Sequence, residues 1–200
     1  ILGSDLARTI VVVTTPYSNN SNDGALFSFN PNSNILTEGN YFTLNSQLFV
    51  DTYGGHIFDQ TKSLGSSDKN IIIAKLDQSE NINLMDAHLN GFSLATESSY
   101  SFSLDLNGTR SRVAGWGTDF FDGTISEILI YNYELSDEEI ISVNYYLSQK
   151  WSIGDIVDSD QDGLMDAEEL SLGTNPYLSD SDEDGVDDGS DFFPFDVNIS

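Results

Sequence analysis

Twelve consecutive residues in the last quarter of the chain place carboxylates at a spacing that suits one kind of chemistry. In Asp158-Ser159-Asp160-Gln161-Asp162-Gly163-Leu164-Met165-Asp166-Ala167-Glu168-Glu169, acidic side chains stand at loop positions 1, 3, 5, 9 and 12, with glycine at 6. Alternate side chains of a tightly curled loop converge on one point, where a hard cation such as calcium takes about six to eight oxygens at about 2.3–2.6 Å. Gly163 suits the sharp turn, where a Cβ is costly. Leu164 would offer its backbone carbonyl, and Glu169 is long enough to close the shell with both oxygens. The pattern recurs twenty-two residues on, from 158 to 180, as Asp180-Ser181-Asp182-Glu183-Asp184-Gly185-Val186-Asp187-Asp188-Gly189-Ser190-Asp191.

The expected cofactor is therefore Ca2+, one ion per loop. The first set is Asp158, Asp160, Asp162, Asp166 and Glu169 with the carbonyl of Leu164. The second is Asp180, Asp182, Asp184, Asp188 and the shorter Asp191 with the carbonyl of Val186. The competing reading is an acidic, solvated tail without fixed structure. Two copies of DxDxDG in register weigh against it. Carboxylates packed this closely repel one another without a cation, so metal binding and folding of this segment should be one event.

Charge draws a boundary along the chain. The 200 residues carry a formal net charge of −26, which repels nucleic acid and anionic membranes as partners. From Asp155 onward there are 15 acidic residues and no Lys or Arg, against 33 acidic residues in all, so about half the acid lies in the last quarter. No apolar run approaches the length of a membrane span, and the absence of cysteine excludes disulfides and thiolate metal sites. Low pI, calcium loops and many Asn, Ser and Thr point to an extracellular or cell-surface setting. The start at Ile1, close to a strand, reads as a piece of a longer, multidomain secreted protein.

The elements that must position these loops follow from periodicity. The 38% hydrophobic content and 12 phenylalanines suffice for a core. Arg8 to Thr15 is a β-branched run ended by Pro16 and predicts a buried strand. Further strands are expected at Ala25 to Phe29, Tyr41 to Leu44, Gln47 to Tyr53, Asn70 to Leu76, Tyr100 to Leu106 and Ile125 to Tyr131. Asn83 to Leu89 and Phe92 to Ala95 flank Asn90-Gly91, a strong hairpin signal. Short strands between polar turns predict a mainly β fold, an antiparallel sandwich. One helix is expected from Ser136 to Lys150. Ser136 and Glu139 form a capping box, and Ile140, Val143, Tyr146 and Leu147 lie at helical spacing to pack on the sandwich. Trp151 should anchor the helix end and mark a hinge to the tail.

The run from Phe121 to Asn132, the helix opened by Leu135-Ser136 and closed by Tyr146 to Trp151, and the hairpin segment Asn83 to Thr96 together resemble bacterial laminin G-like, concanavalin A-like jelly-roll modules. That resemblance covers most of residues 8–151. It implies one or two further strands ahead of Ile1, leaving a sheet edge open to a partner. The tail resembles thrombospondin type 3 calcium repeats in Asp158 to Glu169, Leu172 to Pro176, Asp180 to Asp191 and Phe192-Phe193-Pro194. In that family ligands are often shared between neighbouring ions. A dockerin is the alternative, but dockerins place a helix after each loop, and here Pro194 follows closely on Asp191. The implied organisation is a sandwich over 1–151, a linker over 152–157 and calcium repeats over 158–200.

Catalysis finds little support. His56 and His88 are far apart, and neither completes a triad or a histidine cluster. No strand carries Glu-x-Asp-x-x-Glu, the paired-carboxylate pattern of a retaining glycosidase of this shape, and Glu127 reads as structural. Gly115-Trp116-Gly117-Thr118-Asp119-Phe120-Phe121 could stack on a sugar, although a turn whose aromatics cap the core, with Phe121 on the core side, explains it as well. The expected function is a non-catalytic adhesion or recognition module for an extracellular glycan or surface protein, with a calcium-rigidified spacer. The alternative is an accessory carbohydrate-binding domain of a secreted carbohydrate-active enzyme.

Overall fold

The computed structural model describes residues 8–17, 24–30, 40–44, 48–52, 55–58, 68–79, 82–94, 110–113, 115–116 and 119–199. The strand expected over 100–106 lies outside them. In chain order the first strands are β1 (Arg8–Pro16), β2 (Gly24–Asn30), β3 (Asn40–Leu44), β4 (Leu48–Thr52), β5 (Gly55–Phe58) and β6 (Asn70–Ser79). There follow β7 (Ile82–Leu89), β8 (Phe92–Ser93), β9 (Arg110–Val113), β10 (Gly115–Trp116), β11 (Asp119–Phe120) and β12 (Gly123–Tyr131). Two helices complete the set, α1 (Asp137–Trp151) and α2 (Asp166–Leu172). Clustering in space gives two compact units, one of Ile1–His88 with Ser93–Glu134, the other of Leu89–Phe92 with Leu135–Ser200.

The first unit holds two sheets among the described residues. One has the order β12-β1-β6-β7-β8; the other runs β10-β11-β2-β3-β4-β5, with β9 also paired to β2. β1 lies antiparallel to both neighbours, Val12 opposite Ile128 on one side and Ile72 on the other. From Thr9 to Thr14 no residue of β1 is more than 1% exposed, so a continuous β-branched run sits in the middle of its sheet with both faces covered. Ile71, Ile72, Ile73 and Ala74 of β6 extend the same core. β3 and β4 form an antiparallel hairpin that pairs Tyr41 with Asp51. At the β7–β8 turn Asn90 (φ 53°) and Gly91 (φ 92°) are both left-handed, as a two-residue hairpin loop requires.

The second unit contains α1, whose cap is the one the sequence spells. Ser136 N donates to Glu139 Oε2 at 2.9 Å, and Glu139 N donates to Ser136 Oγ at 3.3 Å. The buried row is Ile140, Asn144, Leu147 and Ser148, while Tyr146 is 54% exposed and Val143 half-buried. The inward face is thus turned from the one that apolar spacing alone predicts. Its reason lies in the tail, since Ser148 Oγ donates to the Asp166 carboxylate and the Tyr145 ring meets Tyr177 edge-on at 4.7 Å. The compact unit accordingly begins at Leu135, not after Trp151, and the segment expected as a linker buries Ile153, Gly154 and Val157. Trp151 is half-buried at the end of α1, so its removal should cost less than the about 3–5 kcal/mol of a fully buried tryptophan.

Candidate metal centres

The two acidic loops share much of their local construction, because the aspartates at loop positions 1, 5 and 9 repeat their bonds to the loop backbone or the position-2 serine. Asp158 accepts from Gln161 N at 2.7 Å and Gly163 N at 3.2 Å; Asp180 accepts from Glu183 N at 2.7 Å and Gly185 N at 2.8 Å. Asp162 accepts from Leu164 N at 2.6 Å, and Asp184 from Val186 N at 3.0 Å. Gln161 (φ 65°) and Glu183 (φ 63°) are left-handed, as are Gly163 (φ 102°) and Gly185 (φ 97°). Each loop is therefore curled by its own carboxylates accepting from its own backbone, with glycine at the tightest point.

This curl gathers the expected residues into three groups. Carboxylate oxygens of Asp158, Asp160 and Asp162 lie within 4.8 Å of one another, as do those of Asp180, Asp182 and Asp184. A third group joins Asp162 and Glu169 to Asp188 of the second loop, within the same 4.8 Å. Asp166 stands apart from these groups. Its oxygens accept from Ser159 N (2.9 Å), Ser159 Oγ (3.0 Å) and Ser148 Oγ, so it ties the loop to α1. Asp188 repeats the serine contact through Ser181 N (2.9 Å) and Ser181 Oγ (2.6 Å). Leu164 and Val186 are half-buried at the positions expected to offer carbonyls, and Asp191 gives one oxygen to Phe193 N at 2.8 Å. The supporting serines escaped the sequence reading, although their shared place at loop position 2 in both repeats was the available signal.

Glu169 decides what the arrangement can do. It is 0% exposed, and neither carboxylate oxygen has a hydrogen-bond partner. A buried, unpartnered carboxylate is costly. Burial, then the charges of Asp160, Asp162, Asp166 and Asp158, push its pKa up to about 9. Burial and the charges of Asp162 and Asp158 push Asp160 up to about 7. Every such perturbation is relieved by a multivalent cation among the oxygens. The residues present thus fit a hard divalent ion. No nitrogen or sulfur donor joins the three groups, which favours calcium over zinc.

The other candidates are placed more simply. His88 is buried beside Asp86 at 3.2 Å, and Asp86 also meets Lys75 at 3.4 Å, with Glu134 on the far side of Lys75 at 3.5 Å. This is a satisfied ion network within the first unit. His56 stands opposite Asp51 in the β4–β5 pairing. Glu127 is half-buried in β12, in register with Val13. Of the aromatic stretch at 115–121, residues 117–118 lie outside the described residues, and Phe121 is half-buried.

No family model matches the chain, and no curated protein matches it. Solved structures do. The CBM40 domain of a Ruminococcus gnavus IT-sialidase, bound to α2,3-sialyllactose, is similar with a TM-score of 0.58 at 18% identity, covering 70% of this chain and 84% of that one. A leech intramolecular trans-sialidase matches with a TM-score of 0.55 at 22% identity, over 70% of this chain and 23% of its own. NanB sialidase from Streptococcus pneumoniae gives 0.53 at 18%, over 68% and 24% respectively. These likenesses fix the fold as a mainly β, antiparallel sandwich of the concanavalin A-like jelly-roll type.

Proposed function

We propose that the chain is a non-catalytic extracellular recognition module, glycan-binding through its sandwich, with a calcium-organised second unit that resembles thrombospondin type 3 repeats. The observation that carries the calcium reading is Glu169, fully buried and without a partner among carboxylates of both loops. One ion would be held by Asp158, Asp160, Asp162 and Glu169, with the Leu164 carbonyl. Another would be held by Asp180, Asp182, Asp184 and Asp191, with the Val186 carbonyl. Asp188 would serve the first ion as well as its own loop, a reading supported by its closeness to Asp162 and Glu169. The repeat reading is supported by the bonds that loop positions 1, 5 and 9 share between the two loops, and by the absence, among the described residues, of a helix after the second one. Calcium titration by calorimetry on chelator-stripped protein tests it; a flat titration at millimolar calcium would overturn it.

The glycan reading is supported by likeness to carbohydrate-binding modules of sialidases, one of them bound to sialyllactose. A glycan array probed with the chain, in calcium and in chelator, tests it directly, with sialylated glycans the first class to score. A laminin G-like adhesion module with a protein ligand would leave the array blank. The second reading, an accessory domain of a carbohydrate-active enzyme, is favoured by one observation: in the leech enzyme the matched region is 23% of the chain. The sequence of the full-length gene separates the two.

A further inference from the structure

The second unit includes a short segment far away in sequence, the hairpin tip Leu89–Phe92. Asp158, position 1 of the first acidic loop, donates its N–H to the carbonyl of Asn90 at 3.2 Å. Its carbonyl lies where a side chain of residue 91 would begin: a Cβ added to Gly91 would come within 1.7 Å of Asp158 O and 2.6 Å of Asp158 C. Gly91 is itself buried. Both backbone groups of Asp158 are therefore seated on the turn, while its side chain is fixed from the other direction by Gln161 N and Gly163 N. Asp158 is 1% exposed.

The geometry points to the Asn90–Gly91 turn as the positioning element of the first cation loop. This rests on the calcium reading, and it adds two residues that carry no ligand atom. Gly91 is needed here twice over, once for its left-handed φ and once for its missing side chain. The turn sets where the Asp158 backbone lies, and so where its carboxylate meets those of Asp160 and Asp162. Supporting residues of this kind typically change metal affinity by about 10–100-fold when altered. The coupling is reciprocal: an ion that fixes Asp158 must also stabilise the turn on which Asp158 rests.

Amide hydrogen exchange on the full chain, with calcium and with chelator, is the first test. Calcium should slow exchange at Asp158 and over Leu89–Leu94 by at least about tenfold, alongside protection of the loops. Protection confined to residues 158–191, with the turn unchanged, would overturn the proposal while leaving calcium binding intact. No calcium-dependent protection anywhere would overturn both together. The second test is Gly91→Ala, with calcium affinity read by calorimetry and the Leu94 amide, which donates to Ala87 O at 2.8 Å, read as the check on the hairpin. Affinity should fall about 10–100-fold with Leu94 still protected. Unchanged affinity in Gly91→Ala would also overturn the proposal. If that variant loses Leu94 protection, the exchange measurement on the unaltered chain decides.

Discussion

Among single residues, the fully buried Glu169 and the half-buried Asp86 are carboxylates handled in opposite ways. Glu169 has no partner of its own, and on the calcium reading its charge is stabilised by the cation. Glu169→Gln should lower calcium affinity by at least about tenfold. In chelator the raised pKa of about 9 already keeps Glu169 protonated at neutral pH, so the amide replaces a neutral acid and the variant should be no less stable than the parent. Thermal melts in both conditions check this; an equal loss in both would mark Glu169 as ordinary packing. Asp86 is the reverse case. Burial raises its pKa, but the hydrogen bond and charge of His88 and the charge of Lys75 outweigh it, and the net shift is below the ordinary 3.8. A depressed carboxylate contributes stability that is present above its unfolded value and is lost as pH falls through its folded value. Asp86→Asn should therefore destabilise the sandwich at neutral pH, by an amount that shrinks as pH drops below about 4. Denaturation midpoints at pH 7 and pH 3 measure the difference, and a constant gap would refute the pairing.

Among the elements, α1 is the clearest translation of sequence into structure. Its capping box satisfies two orphan N–H groups, and Asp137, Glu138 and Glu139 face the positive end of its dipole. Ser136→Ala should cost about 1 kcal/mol, read by chemical denaturation, with calcium affinity nearly unchanged because the cap lies at the opposite end of the helix from Ser148. The loops are elements of another kind. They contain no extended ladder, and their shape comes from Asx-type bonds within each loop and from contacts between loops. Gly189 N donates to Asp162 Oδ2 at 3.2 Å, and a Cβ on Gly189 would meet the Asp162 carbonyl at 2.4 Å. The second loop is thereby seated on the first.

For the molecule as a whole, the two units are stabilised by different physics. The first buries a β-branched core, each such side chain contributing about 1.5–3 kcal/mol. In the second, no hydrophobic residue beyond Val157 is buried except Pro176 among the described residues; the others are Asp158, Ser159, Asp162, Asp166, Glu169, Thr174 and Asp188. Leu170, Leu172, Phe192, Phe193 and Phe195 are all more than 45% exposed. An interior of carboxylates cannot offset the entropy of ordering the chain. Chelation should accordingly open residues 158–199 to protease while the sandwich persists as a resistant fragment. Limited proteolysis followed by mass mapping checks this, and a tail equally resistant with and without chelator would count against metal-coupled folding.

Local chemistry made much of this protein legible in its sequence. The loops, the Asn90-Gly91 turn, the α1 cap and the β-branched strands each depend on residues that are neighbours in the chain, where spacing alone determines geometry. Tertiary structure decided what neighbours in space determine. The face α1 buries depends on Ser148 meeting Asp166, eighteen positions on. The joining of Glu169 to Asp188, and the seating of Asp158 on a turn near residue 90, bring together groups whose separation in sequence carries no trace of their contact. The short strands at 110–113, 115–116 and 119–120 went unread for the same reason, since each is held by its pairing with a partner and has too few residues to show a period of its own.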